Sequence, residues 1–130
     1  MLWQGRVRFR HSARTDVNRL SAAALNSFRG LKAAARSDAA VREELIACAL
    51  AVPAGSLLAP SLAWYVAMIA ALLFVLAVEM LNTSIEKLAD HVTPERHPHI
   101  GIIKDMGSAA VFFALAVAGL IWAAALVERI

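Results

Sequence analysis

Four polar side chains at helical spacing stand out in a chain that is otherwise rich in apolar residues. Glu79, Asn82, Glu86 and Asp90 lie at offsets of three, seven and eleven residues, which places them on one face of a helix at about 100° per residue. Ionisable groups near a membrane are costly, roughly 2.5–3.5 kcal/mol each at a bilayer centre, so they need a use. We predict that these four residues, the polar stripe, belong to an active site.

The depth of the polar stripe indicates which chemistry it supports. If a membrane span begins near Ser61, Glu79 follows 18 residues later, about 27 Å along a helix, close to the hydrocarbon thickness of about 30 Å. A partly desolvated carboxylate there suits a general base, and better hydrated carboxylates suit Mg²⁺. The pattern predicts phosphoryl transfer to the hydroxyl group of a membrane lipid. Alternatively, the acids only pair with Lys87 and Lys104 at a solvated helix end.

The composition places these residues in a small membrane protein of one domain. Hydrophobic residues make up 60% of the 130 residues, and the mean hydropathy is +0.63, both typical of an integral membrane protein. Residues 1–36 hold eight of the thirteen Lys and Arg residues and one acid. A basic segment attached to apolar spans favours an anionic membrane surface as its partner, with no nucleic acid.

We predict an all-α membrane protein with an N-terminal amphipathic interfacial helix and three transmembrane helices. A basic tail covers residues 1–15 and a membrane domain covers residues 16–130; within it we place the interfacial helix at 16–36 and the spans at 39–56, 61–86 and 105–127. Ser37 or Asp38 can cap the first span. A polar loop over residues 87–105 follows the second span. The distribution of Lys and Arg places the N-terminus in the cytoplasm and the C-terminus in the periplasm.

Two motifs at fixed spacing resemble those of the bacterial integral-membrane diacylglycerol kinases. They are E-M-L-N-T-S-I-E at residues 79–86 and K-D-M-G-S-A-A-V at residues 104–111, with supporting similarity at 28–34 and 39–44. The resemblance implies a homotrimeric helical bundle with active sites shared between protomers. It also implies an ATP-dependent kinase that uses Mg²⁺ to convert diacylglycerol to phosphatidic acid at the cytoplasmic face of the inner membrane.

The resemblance also assigns roles to individual residues. Glu79 would be the catalytic general base, and Glu86 and Asp38 would bind the metal. The nucleotide would contact Arg19, Asn26, Asp38, Glu86, Glu95, Arg96, His97, Lys104 and Asp105. The lipid substrate would contact Arg19, Lys32, Glu79 and Ser108, and Asn82, Asp90 and Glu44 would support the site.

Two positions depart from the family pattern. Asp38 stands where the family has a metal-binding glutamate, and its side chain is shorter by one methylene group. Asn26 stands where some relatives have an aromatic residue.

Two alternative functions remain open from the sequence. An undecaprenol (polyprenol) kinase shares the motif E-x-L-N-[ST]-x-I-E, although residues 104–111 and the interfacial segment favour the diacylglycerol branch. A non-enzymatic small membrane subunit, or a small transporter, could use the same acids to bind ions.

Overall fold

The computed structural model describes residues 13–95 and 97–130, which form four α-helices and no strand. The helices are α1 (Ala13–Ser37), α2 (Ala39–Leu58), α3 (Leu62–Val92) and α4 (Pro98–Arg129). The chain divides into two units, one ending at Lys32 and the other covering Ala33–Ile130. The predicted all-α class is confirmed, while residues 1–12 of the predicted basic tail lie outside the described residues.

Helix α1 begins three residues before the predicted interfacial helix and ends one residue after it. Its apolar side chains are largely exposed, with Val17 65%, Leu20 71% and Phe28 65% accessible to solvent. An amphipathic helix with an uncovered apolar face is suited to lie in a membrane interface. Its position at the membrane stays a prediction.

A single residue separates α1 from α2, and its side chain begins the second helix. Asp38 has an extended backbone conformation, with φ −129° and ψ 129°, and its carboxylate accepts a hydrogen bond from the backbone N–H of Ala40. Asp is a preferred N-cap residue because its short side chain reaches the free N–H groups of the first turn. The predicted cap at this position is confirmed for Asp38.

Helices α2 and α3 form an antiparallel hairpin through a turn of three residues, 59–61. Ser61 caps α3 by accepting a hydrogen bond from the backbone N–H of Trp64. Pro53 lies inside α2 rather than ending it, so the helix continues to Leu58, two residues beyond the predicted span.

The predicted polar loop over residues 87–105 is wrong, because only residues 93–97 separate α3 from α4. Helix α3 continues through its polar end to Val92. Pro98 occupies the first turn of α4 after the N-cap His97. Proline is tolerated there because the backbone N–H that it lacks has no partner inside the helix. Pro98 therefore marks the start of α4.

Small residues of α4 form the face that packs against α3. The hydrophobic core contains Ala71 and Val75 of α3 with Ala114 and Ala118 of α4. Alanine at such positions lets two helix backbones approach closely, which favours dispersion contacts between membrane helices. Beyond this core, the indole N–H of Trp122 donates to the backbone oxygen of Met68 at 3.2 Å.

Two of the helices are long and apolar enough to cross a membrane: α3 with 31 residues and α4 with 32. At 1.5 Å per residue each is about 46–48 Å long, which exceeds the hydrocarbon thickness of about 30 Å. Helix α2 differs because Arg42, Glu43 and Glu44 lie in its first two turns. Its uncharged part, residues 45–58, is only about 21 Å long. The third span stays a prediction.

Candidate active site

The residues of the polar stripe differ in burial along α3. Glu79 is 5% exposed and Asn82 is 8% exposed, whereas Glu86 is half-buried and Asp90 is exposed. Burying a carboxylate costs free energy unless the group is paired with a cation or hydrogen-bonded. Burial therefore decreases along the polar stripe from Glu79 to Glu86 and Asp90.

Other carboxylates surround Glu79. Asp38, Glu44 and Glu86 are close enough for their charges to act on it, and they come from the start of α2 and from α3 itself. Like charges repel more strongly in a partly desolvated site than in water. The structure therefore brings carboxylates of α2 and α3 together, and we refer to these four residues as the carboxylate cluster.

No basic side chain pairs with these four carboxylates among the described residues. The ion pair in that part of the chain joins Lys104 of α4 to Asp90 of α3, with Nζ and Oδ1 2.5 Å apart. It lies about three turns of α3 beyond Glu79, and both side chains are partly exposed. Lys104 therefore reaches the outer end of the polar stripe and does not pair with the carboxylates around Glu79.

Asn82 connects α3 to both Glu86 and α4. Its Nδ2 donates to Glu86 Oε1 at 3.2 Å, which fixes the side chain of the predicted metal ligand. Its Oδ1 is buried without a hydrogen-bond partner among the described residues and faces Gly107 of α4. A Cβ atom at Gly107 would collide with Oδ1 and lie 3.3 Å from Cγ of Asn82. Gly107 is therefore required for α4 to approach α3 at this level.

A cavity of about 500 Å³ lies where the α3–α4 loop meets the outer end of the polar stripe. Its lining includes Glu95 and His97 of the loop with Asp90 and Lys104. Three of the predicted nucleotide ligands, Glu95, His97 and Lys104, thus border one space. Arg96, assigned to the same loop contact, lies outside the described residues.

The remaining predicted ligands are exposed and are described within their own units. Asp105 and Ser108 lie on α4, next to Lys104 and one turn after it. Arg19, Asn26 and Lys32 belong to the first unit, and Arg19 and Asn26 are seven residues apart on one face of α1. Their roles toward nucleotide or lipid stay predictions.

Sequence reasoning missed two residues that hold the site together. Thr83, 2% exposed, donates from Oγ1 to Asp38 Oδ2 at 2.9 Å, which joins α3 to the cap of α2. Gly107 allows the contact with Asn82. A glycine inside a helical pattern signals close approach of another element, so Gly107 could have been found. The contact between Thr83 and Asp38, which are 45 residues apart, cannot be predicted from a single sequence.

The helices and the site around Glu79 are typical of a membrane-embedded enzyme. Long apolar helices, largely exposed hydrophobic side chains and a buried carboxylate, Glu79, towards the polar end of α3 are features of an enzyme embedded in a membrane. Among the described residues no group of three His, Cys, Asp or Glu side chains is arranged to hold a metal ion. A cation bound here would therefore need ligands from its own substrate as well as from the chain.

Similarity to known proteins identifies the family. A sequence model of the prokaryotic diacylglycerol kinase family matches residues 25–126, so this chain belongs to that family and is a membrane kinase. A diacylglycerol kinase of Escherichia coli (strain K12) is 40% identical over 108 residues, covering 83% of this chain and 88% of the relative. One of Pseudomonas aeruginosa is 41% identical over 109 residues, covering 84% and 89%. One of Haemophilus influenzae is 36% identical over 96 residues, covering 74% and 81%.

Proposed function

We propose that this protein transfers the γ-phosphoryl group of ATP to the hydroxyl group of diacylglycerol and forms phosphatidic acid. The observation that carries the proposal is Glu79, buried to 5% exposure on α3 among the carboxylates of Asp38, Glu44 and Glu86. We place the reaction at the cytoplasmic face of the inner membrane, where the polar ends of apolar helices meet the lipid headgroups.

Glu79 is the proposed general base. It accepts the proton of the lipid hydroxyl while the hydroxyl oxygen attacks the γ-phosphorus and the bond to the bridging β–γ oxygen breaks, which releases ADP. A lipid hydroxyl lies at the depth where an apolar helix becomes polar, which matches the position of Glu79 on α3.

The carboxylate cluster fits a magnesium ion. Mg²⁺ prefers one or two carboxylates together with phosphate oxygens and water, and Glu86 offers a half-buried carboxylate held by the amide of Asn82. When bound, the ion would offset the charge of the β- and γ-phosphates. Of the two predicted metal ligands, Glu86 is the one whose position supports this role.

The cavity at the α3–α4 loop is the proposed position of the nucleotide. Lys104 provides an ammonium group for a phosphate, and Glu95 and His97 line the same cavity. Asp105 and Ser108 continue the face of α4 from Lys104 and are proposed to contact nucleotide and lipid respectively. The ion pair between Lys104 and Asp90 would be exchanged for a contact with phosphate when ATP binds.

A homotrimer with active sites shared between protomers is part of the proposal. Large apolar side chains cover much of the outside of α3 and α4, among them Phe74, Phe112 and Leu120. Lipid and neighbouring protomers would cover these side chains. Three membrane helices offer few polar groups to enclose both a nucleotide and a lipid, which supports sites completed by a second copy.

A transfer assay with labelled ATP and a panel of lipid alcohols tests the proposal. Purified protein in detergent receives γ-³²P-ATP and Mg²⁺ with diacylglycerol, with undecaprenol or with no lipid. We expect label in phosphatidic acid and little label in undecaprenyl phosphate. Label in undecaprenyl phosphate alone would establish the polyprenol kinase instead, and the absence of any labelled lipid would refute lipid kinase activity.

A further inference from the structure

Two hydrogen bonds tie the junction between α1 and α2 to α3. The hydroxyl group of Thr83 donates to Asp38 Oδ2 at 2.9 Å, and the ammonium group of Lys87 donates to Ser37 Oγ at 2.7 Å. Thr83 and Lys87 are four residues apart and so lie on one face of α3. We refer to Ser37, Asp38, Thr83 and Lys87 as the junction clamp.

Both carboxylate oxygens of Asp38 are used within the protein. Oδ1 accepts the backbone N–H of Ala40 at 2.9 Å, and Oδ2 accepts the hydroxyl group of Thr83. The two bonds fix the orientation of the carboxylate, so a metal ion could bind only through the lone pairs that remain. Turning the group towards an ion in another direction would break one of the bonds and leave the first turn of α2 or the buried Thr83 hydroxyl without its partner. An unpaired buried polar group is costlier than a lost hydrogen bond at the surface.

The length of the side chain agrees with this use. Asp is among the preferred N-cap residues, whereas Glu is not, because only the short side chain reaches the second or third N–H of its own helix. The resemblance places a metal-binding glutamate at this position, and the residue here is shorter by one methylene group. The shorter residue is suited to capping α2 and less suited to reaching an ion beside Glu86.

The junction clamp lies next to Glu79. Thr83 follows Glu79 by four residues on α3, one turn along the same face, and its side chain is 2% exposed. Through its bond to Thr83, the Asp38 carboxylate at the start of α2 is held about one turn of α3 from Glu79. A loss of the Thr83 hydroxyl would release Asp38 from this position.

We infer that Thr83 and Asp38 are positioning residues, which hold α2 against α3 beside Glu79, and that Asp38 is not a ligand of the metal in this chain. The inference rests on the proposed function for its effect on turnover. The expected changes in unfolding temperature and in metal binding do not depend on whether the protein phosphorylates a lipid, or on which one.

The first experiment removes the hydroxyl group that closes the junction clamp. Thr83→Val keeps the shape of the side chain, Thr83→Ser keeps the hydroxyl group, and Ser84→Ala removes a neighbouring exposed hydroxyl that bonds only within α3, to the backbone of Met80. We expect Thr83→Val to lower the unfolding temperature in detergent by about 4 °C and kcat by about tenfold, with little change in the KM for diacylglycerol. Ser at position 83 should restore both quantities, and Ser84→Ala should change neither.

The second experiment separates positioning from metal binding. Asp38→Asn keeps an acceptor for Ala40 and a polar partner for Thr83 but removes the negative charge, so it is compared with Glu86→Gln. The binding of Mn²⁺ with a non-hydrolysable ATP analogue is followed by electron paramagnetic resonance. We expect Glu86→Gln to weaken Mn²⁺ binding by about tenfold or more, and Asp38→Asn by less than about threefold.

Either of two results would overturn the inference. One is a loss of Mn²⁺ affinity in Asp38→Asn equal to that in Glu86→Gln. The other is an unfolding temperature and a kcat in Thr83→Val that equal those of the unchanged protein. A wild-type protein that binds Mn²⁺–nucleotide but phosphorylates no diacylglycerol would refute the proposed function alone, because the unfolding and resonance measurements need no turnover.

Discussion

Helices α3 and α4 meet in an apolar region, around Val75 and Ala118, and in a polar region, around Asn82 and Gly107. In the apolar region small side chains let the backbones approach, and the core residues make dispersion contacts. In the polar region the close packing of the two helices buries the amide of Asn82 and, about one turn earlier on α3, the carboxylate of Glu79. One pair of helices therefore combines an apolar contact that stabilises the fold with a buried polar site that is costly to form.

The largest expected effect comes from Glu79 in the polar region. Glu79→Gln should lower kcat by about 10²–10⁴-fold, because the amide cannot accept the proton of the lipid hydroxyl. Its unfolding temperature should stay equal or rise, since a neutral amide costs less to bury than a carboxylate. The labelled-ATP assay and a thermal unfolding curve measure both. Glu128→Gln, which changes an exposed carboxylate at the other end of the chain, is the matched control. Full activity in Glu79→Gln would exclude Glu79 as the base.

The next largest effect is expected at the point where α4 crosses Asn82. Gly107→Ala should force Asn82 away and disturb Glu86, with a loss of about 1–3 kcal/mol in unfolding free energy and about tenfold or more in kcat. Gly119→Ala is the control, because a Cβ there meets nothing within 4 Å and alanine favours the helix by roughly 0.5–1 kcal/mol. Equal behaviour of the two variants would mean that the close approach at Gly107 does not position the site.

In the apolar region we expect a change in stability without a change in chemistry. Ala118→Leu overpacks a core position that is 4% exposed and should cost about 1–3 kcal/mol in unfolding free energy. The kcat of the protein that remains folded should be unchanged. Ala116→Leu places the same side chain at an exposed position two residues earlier and serves as the control. If Ala118→Leu lowered kcat as strongly as Gly107→Ala, packing in the apolar region would affect catalysis as much as packing in the polar region.

The smallest effect is expected from the ion pair at the outer end of the polar region. Lys104 and Asp90 are 35% and 64% exposed, so Asp90→Asn should change the unfolding free energy by less than about 1 kcal/mol. The difference should shrink further at high salt, where surface charges are screened. A double-mutant cycle with Lys104→Met measures the coupling between the two side chains. A coupling of several kcal/mol would show that this end of α3 is more enclosed than its exposure indicates.

Much of the fold could be predicted from the sequence because its signals are local. The spacing of apolar residues predicts the helices, and Asp38 is recognisable as a cap from its position before the pattern resumes. The length of the α3–α4 loop could not be predicted, because Pro98 is compatible both with a loop and with the first turn of a helix. Whether Pro98 lies in a loop or in a helix depends on how α4 packs against α3, and the spacing of residues in the sequence does not show this packing.

The candidate site divides in the same way. By itself, the sequence determined the polar stripe, the order of Glu79, Glu86 and Asp90 along it, and the motifs that identify the family, because helical geometry converts spacing directly into a shared face. Only the tertiary structure decided that Thr83 holds Asp38, that Gly107 admits Asn82 and that Lys104 pairs with Asp90. Each of these contacts joins residues of different helices or helix ends. The distance between their side chains depends on how the helices pack, which the residue types alone do not determine.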